Sequence, residues 1–171
     1  MQNLKVPRTM KIGLIWAQDK SGSLGDGNKI PWNVPADFKH FKDITYGYPV
    51  VMGKKSFLSI GKALEGRTNI VISSSLNPNI DGITVVKSAQ AAINILQTEP
   101  KIWIIGGKSI YEQFMPYAEE LVVSYIDIFR PASVKAPLID EKWVCDIERS
   151  DKNFRDKSGD ARFKVLHFKR K

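Results

Sequence analysis

Cysteine and histidine are nearly absent from this chain of 171 residues. The single Cys145 excludes a disulfide within the chain, and because no histidine-bearing motif accompanies it, we expect an ordinary thiol rather than a nucleophile. The two histidines, His40 and His167, are far apart in sequence and give no zinc-type spacing with cysteine. These absences exclude disulfide-stapled folds, and the sequence predicts no metal site.

Long hydrophobic runs are also missing. No segment approaches the roughly 20 apolar residues of a membrane span, and residues 1–11 hold no apolar stretch typical of a signal peptide. We therefore expect a soluble, cytoplasmic protein with no membrane partner. Hydrophobic residues make up 43% of the chain, which suits one domain over residues 1–171 with a short polar extension at 1–10. No apolar stripe is left over, so we expect a monomer.

Positive charge exceeds negative charge, with 26 Lys and Arg against 18 Asp and Glu and a net charge of +8. Such a balance suits either a nucleic acid or an anionic small molecule. Part of the excess lies in the tail at 169–171, and the remainder is spread along the chain without an aromatic stacking ladder. We therefore expect a small-molecule partner and no nucleic acid, and a steeply salt-dependent affinity for DNA or RNA would contradict this.

Short runs rich in Val and Ile alternate with amphipathic segments. The runs predict strands, and they lie at 12–17, 50–52, 69–72, 83–86, 102–105, 121–128 and 163–168. Helical periodicity predicts helices at 35–45, about 54–61, 88–97 and 109–118. This alternation predicts an α/β fold with a mostly parallel sheet, and the last two runs, with no helix between them, predict an antiparallel edge hairpin.

A carboxylate interrupts the apolar face of the first predicted helix. At about 100° per residue, Asp37 shares a face with Phe38, Phe41 and Ile44. An acid on an apolar face is costly unless it is hydrogen-bonded, so Asp37 is a candidate for recognising an amidine-like ligand or for supplying a proton. The alternative is structural, because after Pro35 the acid lies in the first helical turn, where free N–H groups favour negative charge.

Two predicted strand–helix junctions carry glycine followed by basic and hydroxyl residues. They are Gly53-Lys54-Lys55-Ser56 and Gly106-Gly107-Lys108-Ser109. Glycine lets a ligand approach the backbone, and a helix N-terminus offers free N–H groups to phosphate. A hydroxyl cluster at 73–75 is either a third phosphate contact or a plain polar turn. The spacings of the P-loop and of GxGxxG are both absent, but two such junctions suit a ligand with several phosphates, such as a dinucleotide.

Taken together, these segments resemble the dihydrofolate reductase family over about residues 11–168. The matching segments occur in the family's order: GLIWA at 13–17, IPWNVPAD at 30–37, VMGKKSF at 51–57, SIG at 59–61, GRTN at 66–69, IIGG at 104–107 and Tyr111. The IWAQ variant at 15–18 resembles actinobacterial members. The resemblance implies a single domain with a central sheet of eight mostly parallel strands, flanking helices and a C-terminal antiparallel hairpin.

The resemblance also implies an activity. NADPH would reduce 7,8-dihydrofolate to 5,6,7,8-tetrahydrofolate by hydride transfer to C6 with protonation at N5, which supplies one-carbon metabolism, and antifolates would inhibit competitively. Asp37 would bind the pterin 2-amino group and N3 through paired hydrogen bonds. The proton would come from Asp37 itself or from a water near Trp32. Arg67 would clamp the substrate's glutamate carboxylate, and Ser124 would hydrogen-bond the acid through water.

Further site residues follow from the resemblance alone. The implied substrate pocket is lined by Ile15, Trp16, Phe38, Phe41, Ile60, Ile105 and Tyr111. Any one of the first five, taken alone, is explained by a simple role in the core. The implied cofactor contacts are Lys54, Lys55 and Ser74 at the 2′-phosphate, Ser56 at the pyrophosphate, Ala17 and Ile30 at the nicotinamide, and Gly53, Ser73, Ile105, Gly106, Gly107, Lys108, Ser109 and Tyr111. Two cations at the phosphate position favour NADPH over NADH.

The chain departs from the family pattern most clearly at residues 132–137. Ser133 stands where members often have an Asp that braces the mobile loop over the nicotinamide, here the glycine-bearing loop at 19–33 that includes Gly22, Gly25 and Gly27. We expect altered loop closure, and hence altered cofactor release rather than lost chemistry. Smaller departures are Ser56 in place of Thr and Ser109 in place of an occasional Arg.

Two other functions remain open from the sequence. One is a protein that binds NADPH or a pterin without turnover, although such a protein would need neither Asp37 nor Arg67. The other is a reductase for a different heterocycle, such as the pyrimidine reductases of riboflavin synthesis. Tight displacement of substrate by an antifolate would separate dihydrofolate reduction from both.

Overall fold

The computed structural model of the protein describes residues 3–25 and 30–171. Its strands are β1 Lys11–Gln18, β2 Ser23–Gly25, β3 Val50–Gly53, β4 Asn69–Ile72, β5 Ile83–Val86, β6 Lys101–Gly106, β7 Glu120–Ile126, β8 Val134–Lys135, β9 Trp143–Cys145, β10 Arg155–Ser158 and β11 Ala161–Arg170. Its helices are α1 Pro35–Thr45, α2 Lys54–Ile60, α3 Ala89–Ile95 and α4 Lys108–Phe114, and a 3₁₀ turn follows at Met115–Tyr117.

Nine of the strands in the described residues form one sheet, in the order β10–β11–β7–β1–β6–β3–β4–β5, with β9 also pairing with β11. The five pairs from β7 to β5 are parallel, whereas β11 runs antiparallel to β7, β9 and β10. The predictions of an α/β class, a mostly parallel sheet and a C-terminal antiparallel hairpin are confirmed. The sheet has one strand more than the eight implied by the resemblance. Its strands β9 and β10 lie outside the predicted runs, because β9 has only three residues and β10 is a polar, mostly exposed strand.

Both faces of the sheet are covered by helices. Helices α3 and α4 pack on one face, where Leu14 and Trp16 of β1 join their hydrophobic cluster. Helices α1 and α2 pack on the other face, where Ile15 joins a second cluster with Phe57 and Val122. Successive strand residues point to opposite faces, so a strand that is buried on both sides has a continuous apolar sequence.

The helix predicted at 109–118 ends earlier than its periodicity suggested. Helix α4 stops at Phe114, and the chain continues as the 3₁₀ turn Met115–Tyr117. Pro116 explains the change, because it has no N–H to donate to the preceding turn of an α-helix. The apolar periodicity persists in the 3₁₀ turn although the α-helical hydrogen bonding does not.

The described part of the N-terminal extension packs against the domain. Leu4 N donates to the Tyr117 hydroxyl at 2.8 Å, and Lys5 exchanges two hydrogen bonds with the Gln90 side chain, at 2.8 and 3.1 Å. Met10 is buried in the cluster on the α3–α4 face, and Leu4 and Val6 pack against that cluster. The segment expected to be a polar extension therefore adds apolar residues to the core.

Candidate active site

Asp37 lies in the first turn of α1, and its side chain reaches the sheet. Ser124 Oγ on β7 donates a hydrogen bond of 2.5 Å to Asp37 Oδ1. Within the described residues no backbone N–H donates to this carboxylate, and Val34 at the start of α1 makes no side-chain cap. Of the two interpretations of the sequence, the structure favours a carboxylate that is bound to the sheet. It does not favour a carboxylate that accepts hydrogen bonds from the free N–H groups of its own helix.

The surroundings of Asp37 shift its titration. Burial raises the pKa of the carboxyl, while the hydrogen bond from Ser124 and the positive charge of Arg155 lower it, and the net result is a raised pKa. The Ser124 hydroxyl contacts the acid directly, whereas the family resemblance implied an intervening water. The direct contact arises because Ser124 projects from β7 toward the α1 side of the sheet.

The carboxyl ends of β1 and β7 lie beside this acid. Ala17 pairs in register with Ser124, and the carbonyl of Ile15 accepts a hydrogen bond from the Tyr111 hydroxyl at 2.7 Å. Burial raises the pKa of Tyr111, so the hydroxyl stays protonated and remains a donor. The phenol of α4 therefore fixes the backbone of β1 next to the site.

Trp16 and Tyr111 lie on the other face of the sheet from Asp37. Their ring centroids are 5.6 Å apart, within the hydrophobic cluster of α3 and α4. Both were expected among the residues that line the substrate pocket. Along β1, Ile15 points to the α1 side of the sheet and the Trp16 side chain points to the α3–α4 side. Contact of Trp16 and Tyr111 with the substrate stays a prediction.

Several apolar side chains near the start of α1 and on α2 remain open to solvent. Phe38 is 58% exposed, Ile30 43% and Ile60 38%, and each was predicted to line the substrate pocket or flank the nicotinamide. Leu58 on α2, 57% exposed, was not predicted. Trp32 by contrast is buried, and Phe41 and Ile105 pack against the cluster that contains Ile15. Their exposure leaves these apolar side chains free to contact a ligand.

Arg67 is half-buried and held by two hydrogen bonds. Its Nη1 donates to Thr45 Oγ1 and its Nε donates to the carbonyl of Glu65, both at 3.0 Å. Thr45 is in turn oriented by its hydroxyl, which donates to the carbonyl of Phe41 at 2.9 Å. The guanidinium is thus fixed at the end of α1. No local pattern predicts this pairing, because Thr45 and Arg67 are 22 residues apart.

The two glycine-bearing junctions lie side by side. β3 and β6 are parallel neighbours, and Met52 pairs with Gly106. Gly106 has a φ of +123°, and a Cβ built on it would lie 3.1 Å from Ser56 Oγ and 3.2 Å from the Tyr111 hydroxyl. The backbone conformation and the close packing therefore both require glycine at this position. The peptide bond between Gly106 and Gly107 is cis.

These junctions have the groups that a phosphate-bearing ligand needs. Gly53 and Gly107 precede α2 and α4 and have no side chain that could cap them. The first N–H groups of both helices therefore have no side-chain acceptor from the cap residue. Lys55 and Ser109 are exposed on the first turns of α2 and α4. Lys108, also exposed, lies 4.0 Å from Glu112.

The hydroxyl cluster after β4 forms a polar turn. Ser73 Oγ accepts hydrogen bonds from the backbone N–H groups of Ser75 and Leu76, at 3.1 and 3.0 Å, as in a polar turn. Ser74 is exposed, and Lys54 donates to Ser75 Oγ at 3.0 Å. The turn thus uses Ser73 structurally and brings the ammonium group of the β3–α2 junction beside exposed hydroxyls.

The segment after β1 is attached to the loop before β8. β2 pairs antiparallel with β8, and Ser23 Oγ accepts from the backbone N–H of Ala132 and from Lys135 Nζ at 3.0 and 2.8 Å. Ser133, expected to weaken this bracing, is exposed, and the hydrogen bonds are made by its neighbours instead. Gly27, which we placed in the same loop, lies outside the described residues.

Asp19 holds the start of this loop. Its carboxylate accepts from the backbone N–H groups of Ser21, Ser23 and Arg130 at 2.9, 2.8 and 2.7 Å. Burial raises the pKa of the Asp19 carboxyl, but hydrogen bonds led by that of the Ser21 hydroxyl outweigh burial and lower the pKa. Neither Asp19 nor Ser23 stood out in the sequence, because Arg130 and Ala132, which bind them from the far side of the loop contact, lie more than 100 residues away.

Comparison with known proteins places this arrangement in a family. The family profile described as "Dihydrofolate reductase" matches residues 11–170. The chain belongs to the dihydrofolate reductase family. A dihydrofolate reductase of Mycobacterium leprae is 40% identical over 139 residues, which cover 78% of this chain and 84% of that protein. That of Haemophilus influenzae is 33% identical over 158 residues, covering 92% and 98%.

A solved structure of the family has the same fold. A dihydrofolate reductase from Enterococcus faecalis in complex with NADP(H) and RAB-propyl superposes with a TM-score of 0.84 and 26% identity, over 94% of this chain and 96% of that one. The predictions of a dihydrofolate reductase-like fold, of the family and of an oxidoreductase are therefore confirmed.

Neither a metal-binding cluster nor a membrane-spanning helix occurs in the described residues. No group of three or more His, Cys, Asp or Glu side chains at residues 3–25 and 30–171 is arranged to hold a metal ion. None of the helices found there has the length and apolar character needed to cross a membrane.

Proposed function

We propose that the protein reduces 7,8-dihydrofolate to 5,6,7,8-tetrahydrofolate with NADPH, by hydride transfer to C6 and protonation at N5. The observation that carries the proposal is the Asp37 carboxylate, held by Ser124 at the end of the sheet beside exposed apolar side chains. Family membership supports the same reaction.

The carboxylate of Asp37 suits the pterin ring. Ser124 occupies one lone pair of Oδ1, so both oxygens can still accept hydrogen bonds from two parallel N–H donors. The pterin 2-amino group and N3 present such a pair, and a planar bidentate contact is stronger and more specific than a single bond. The negative charge at this edge of the ring favours protonation of N5, which prepares C6 to accept the hydride.

The raised pKa of Asp37 makes the protonated form of this carboxyl easier to reach than that of an ordinary carboxyl. Two routes to N5 are compatible with this role: transfer from Asp37 itself, or transfer through a water near Trp32. In either route the acid controls the protonation step, and one proton and one hydride are consumed for each dihydrofolate reduced.

Arg67 suits the other end of the substrate. Two of its five N–H groups are used by Thr45 and Glu65, and the planar guanidinium can offer the others to the carboxylate of the glutamate tail. Phe38 and Ile60, both exposed, would contact the benzoyl ring in between. Substrate contacts by Ile15, Phe41 and Ile105 belong to the same proposal.

The junction residues fit NADPH, which supplies the hydride when bound. Gly106 and Gly107 have no side chain that would keep a ligand from the backbone. The uncapped starts of α2 and α4 supply N–H donors beside exposed cations. We assign Lys54, Lys55 and Ser74 to the 2′-phosphate and Ser56 to the pyrophosphate, with Ala17 and Ile30 at the nicotinamide. The remaining proposed contacts are Gly53, Gly107, Lys108 and Ser109.

The decisive experiment follows the absorbance of NADPH at 340 nm with dihydrofolate, comparing wild type with Asp37→Asn. We expect the variant to lose about 10²- to 10⁴-fold in kcat, the usual contribution of a general acid. Asp43→Asn is the matched control, because Asp43 is an exposed carboxylate on the same helix that pairs with Lys39. Equal activity of all three proteins would refute the assignment of the acid.

Substrate identity needs a second measurement. Tight displacement of dihydrofolate by an antifolate is expected from a dihydrofolate reductase and not from a reductase of another heterocycle. Absence of turnover by a folded, NADPH-binding wild type would refute the proposed reaction while leaving the family intact. We also infer a monomer, and a sedimentation mass of twice 19.3 kDa would contradict it.

A further inference from the structure

The loop after α1 contains an aromatic ring that the proposed function leaves unused. Tyr46 follows the last residue of α1 and is 52% exposed. The guanidinium carbon of Arg67 lies 5.7 Å from the centroid of its ring, and Lys42 Nζ lies 5.9 Å from the same centroid. A cation within about 6 Å of an aromatic face is attracted to it.

The position of this ring is fixed by the backbone beneath it. A Cβ built on Gly66 would lie 2.2 Å from a carbon of the Tyr46 ring, so the ring rests directly on the glycine that precedes Arg67. Gly66 also has a φ of +78°. Gly47 N donates to the carbonyl of Gly66 at 3.1 Å, which joins the loop after α1 to the loop before β4. The hydrogen bond between these two loops therefore holds the Tyr46 ring and the Arg67 guanidinium next to each other.

We propose that Tyr46 is a positioning residue for Arg67: its ring covers one face of the guanidinium and directs the free N–H groups toward the carboxylate of the substrate's tail. The Thr45 and Glu65 hydrogen bonds hold the Nη1 and Nε atoms of the guanidinium. Both hydrogen bonds act on one edge of the guanidinium, so the group can still tilt about that edge. The Tyr46 ring limits this tilt from one side. The proposal rests on the assignment of Arg67 to the glutamate carboxylate.

The proposed role of Tyr46 affects only the binding of the substrate's glutamate tail. A better-oriented guanidinium strengthens binding of the tail in the ground state and the transition state alike, so the effect belongs in KM and not in kcat. A cation–π contact at an exposed site is worth about a two- to fivefold change in binding. A ligand without the tail carboxylate should be unaffected.

The test compares Tyr46→Leu, which removes the π face and keeps apolar bulk, with Tyr46→Phe, which keeps the ring. KM and kcat are measured for dihydrofolate and for 7,8-dihydrobiopterin, a dihydropterin without the benzoylglutamate tail. Quenching of tryptophan fluorescence gives the Kd of each compound independently of turnover. We expect Tyr46→Leu to raise KM and Kd for dihydrofolate about two- to fivefold with kcat unchanged, and Tyr46→Phe to behave as wild type. Neither variant should alter binding of the tailless compound.

A double-mutant cycle separates coupling from general disruption. If the ring acts through Arg67, Tyr46→Leu should have no further effect on dihydrofolate binding in an Arg67→Ala background. An equal loss in both backgrounds, an equal loss for the tailless compound, or an unchanged KM in Tyr46→Leu would each overturn the proposal. If Arg67→Ala alone leaves dihydrofolate binding intact, the clamp assignment under the proposed function has failed instead.

Discussion

Ser124→Ala tests the direct hydrogen bond to the candidate acid. The substitution removes the hydroxyl that lies 2.5 Å from Asp37 Oδ1 and changes little else, since Ser124 is a small, buried residue in the middle of a paired strand. This hydrogen bond stabilises the ionised carboxylate and lowers its pKa. Without it, burial acts with less opposition, and the pKa of Asp37 should rise further above its ordinary value.

The size of the effect follows from the geometry. A hydrogen bond to a charged group contributes about 1.5–3 kcal/mol, and the half-buried position of Asp37 favours the lower end of that range. Because about 1.4 kcal/mol is a factor of ten in an equilibrium constant, we expect the proton affinity of the carboxylate to increase roughly tenfold. Ser124→Thr is the matched control, since it keeps the hydroxyl at the same position.

Two assays measure the change in the pKa of Asp37. The carboxyl ¹³C resonance of Asp37, assigned from its absence in Asp37→Asn, gives the pKa in the free protein. The pH dependence of kcat/KM gives the apparent value in the reaction, and activity that requires the acid form falls as pH rises through it. Ser124→Ala should therefore retain its own maximal activity to higher pH than wild type and Ser124→Thr. A titration at the same or lower pH would refute the structural argument.

Two further predictions concern acid stability and loop closure. Burial, with the nearby charges of Arg155 and His167, lowers the pKa of His40 to about 4, and Nδ1 of His40 has no hydrogen-bond partner in the described residues. Because the unfolded chain binds this proton from about pH 6.5 downward, stability is lost as pH falls from about 6.5 toward 4. After allowance for solvent screening, the loss by pH 5 is about 1 kcal/mol, which His40→Gln should abolish in urea unfolding; an equal loss in the variant would count against this. Ser133→Asp should slow NADPH release severalfold in stopped-flow displacement with unchanged hydride transfer, because a carboxylate beside the β2–β8 pairing adds an acceptor to the brace; unchanged off-rates would disprove it.

Local pattern was sufficient to predict most of the secondary structure. The periodicity of 35–45 gave the bounds of α1 as they are observed, and Val- and Ile-rich runs located β4 and β5. The bounds of α4 were wrong where Pro116 changed the hydrogen bonding without changing the apolar pattern. β9 was missed because three residues carry no period.

The candidate site was only partly accessible to such patterns. Asp37 stood out because a carboxylate interrupts the apolar face of its helix, and this pattern is visible within a few residues. The sheet face onto which Trp16 projects, the one covered by α4, became visible only in the fold. Tyr46 gave no signal at all, since an aromatic residue at a helix end is ordinary until Gly66 and Arg67 are brought beneath it.

The sequence by itself determined that this is an α/β domain with one misplaced acid and two glycine-bearing junctions, because hydrophobic periodicity and glycine placement act over a few residues. Tertiary structure alone decided that Ser124, 87 residues away, hydrogen-bonds that acid, and that Thr45 and Tyr46 hold Arg67. Such contacts depend on strand order and register, which bring distant segments together through the sum of many weak interactions. No local pattern in the chain encodes that sum.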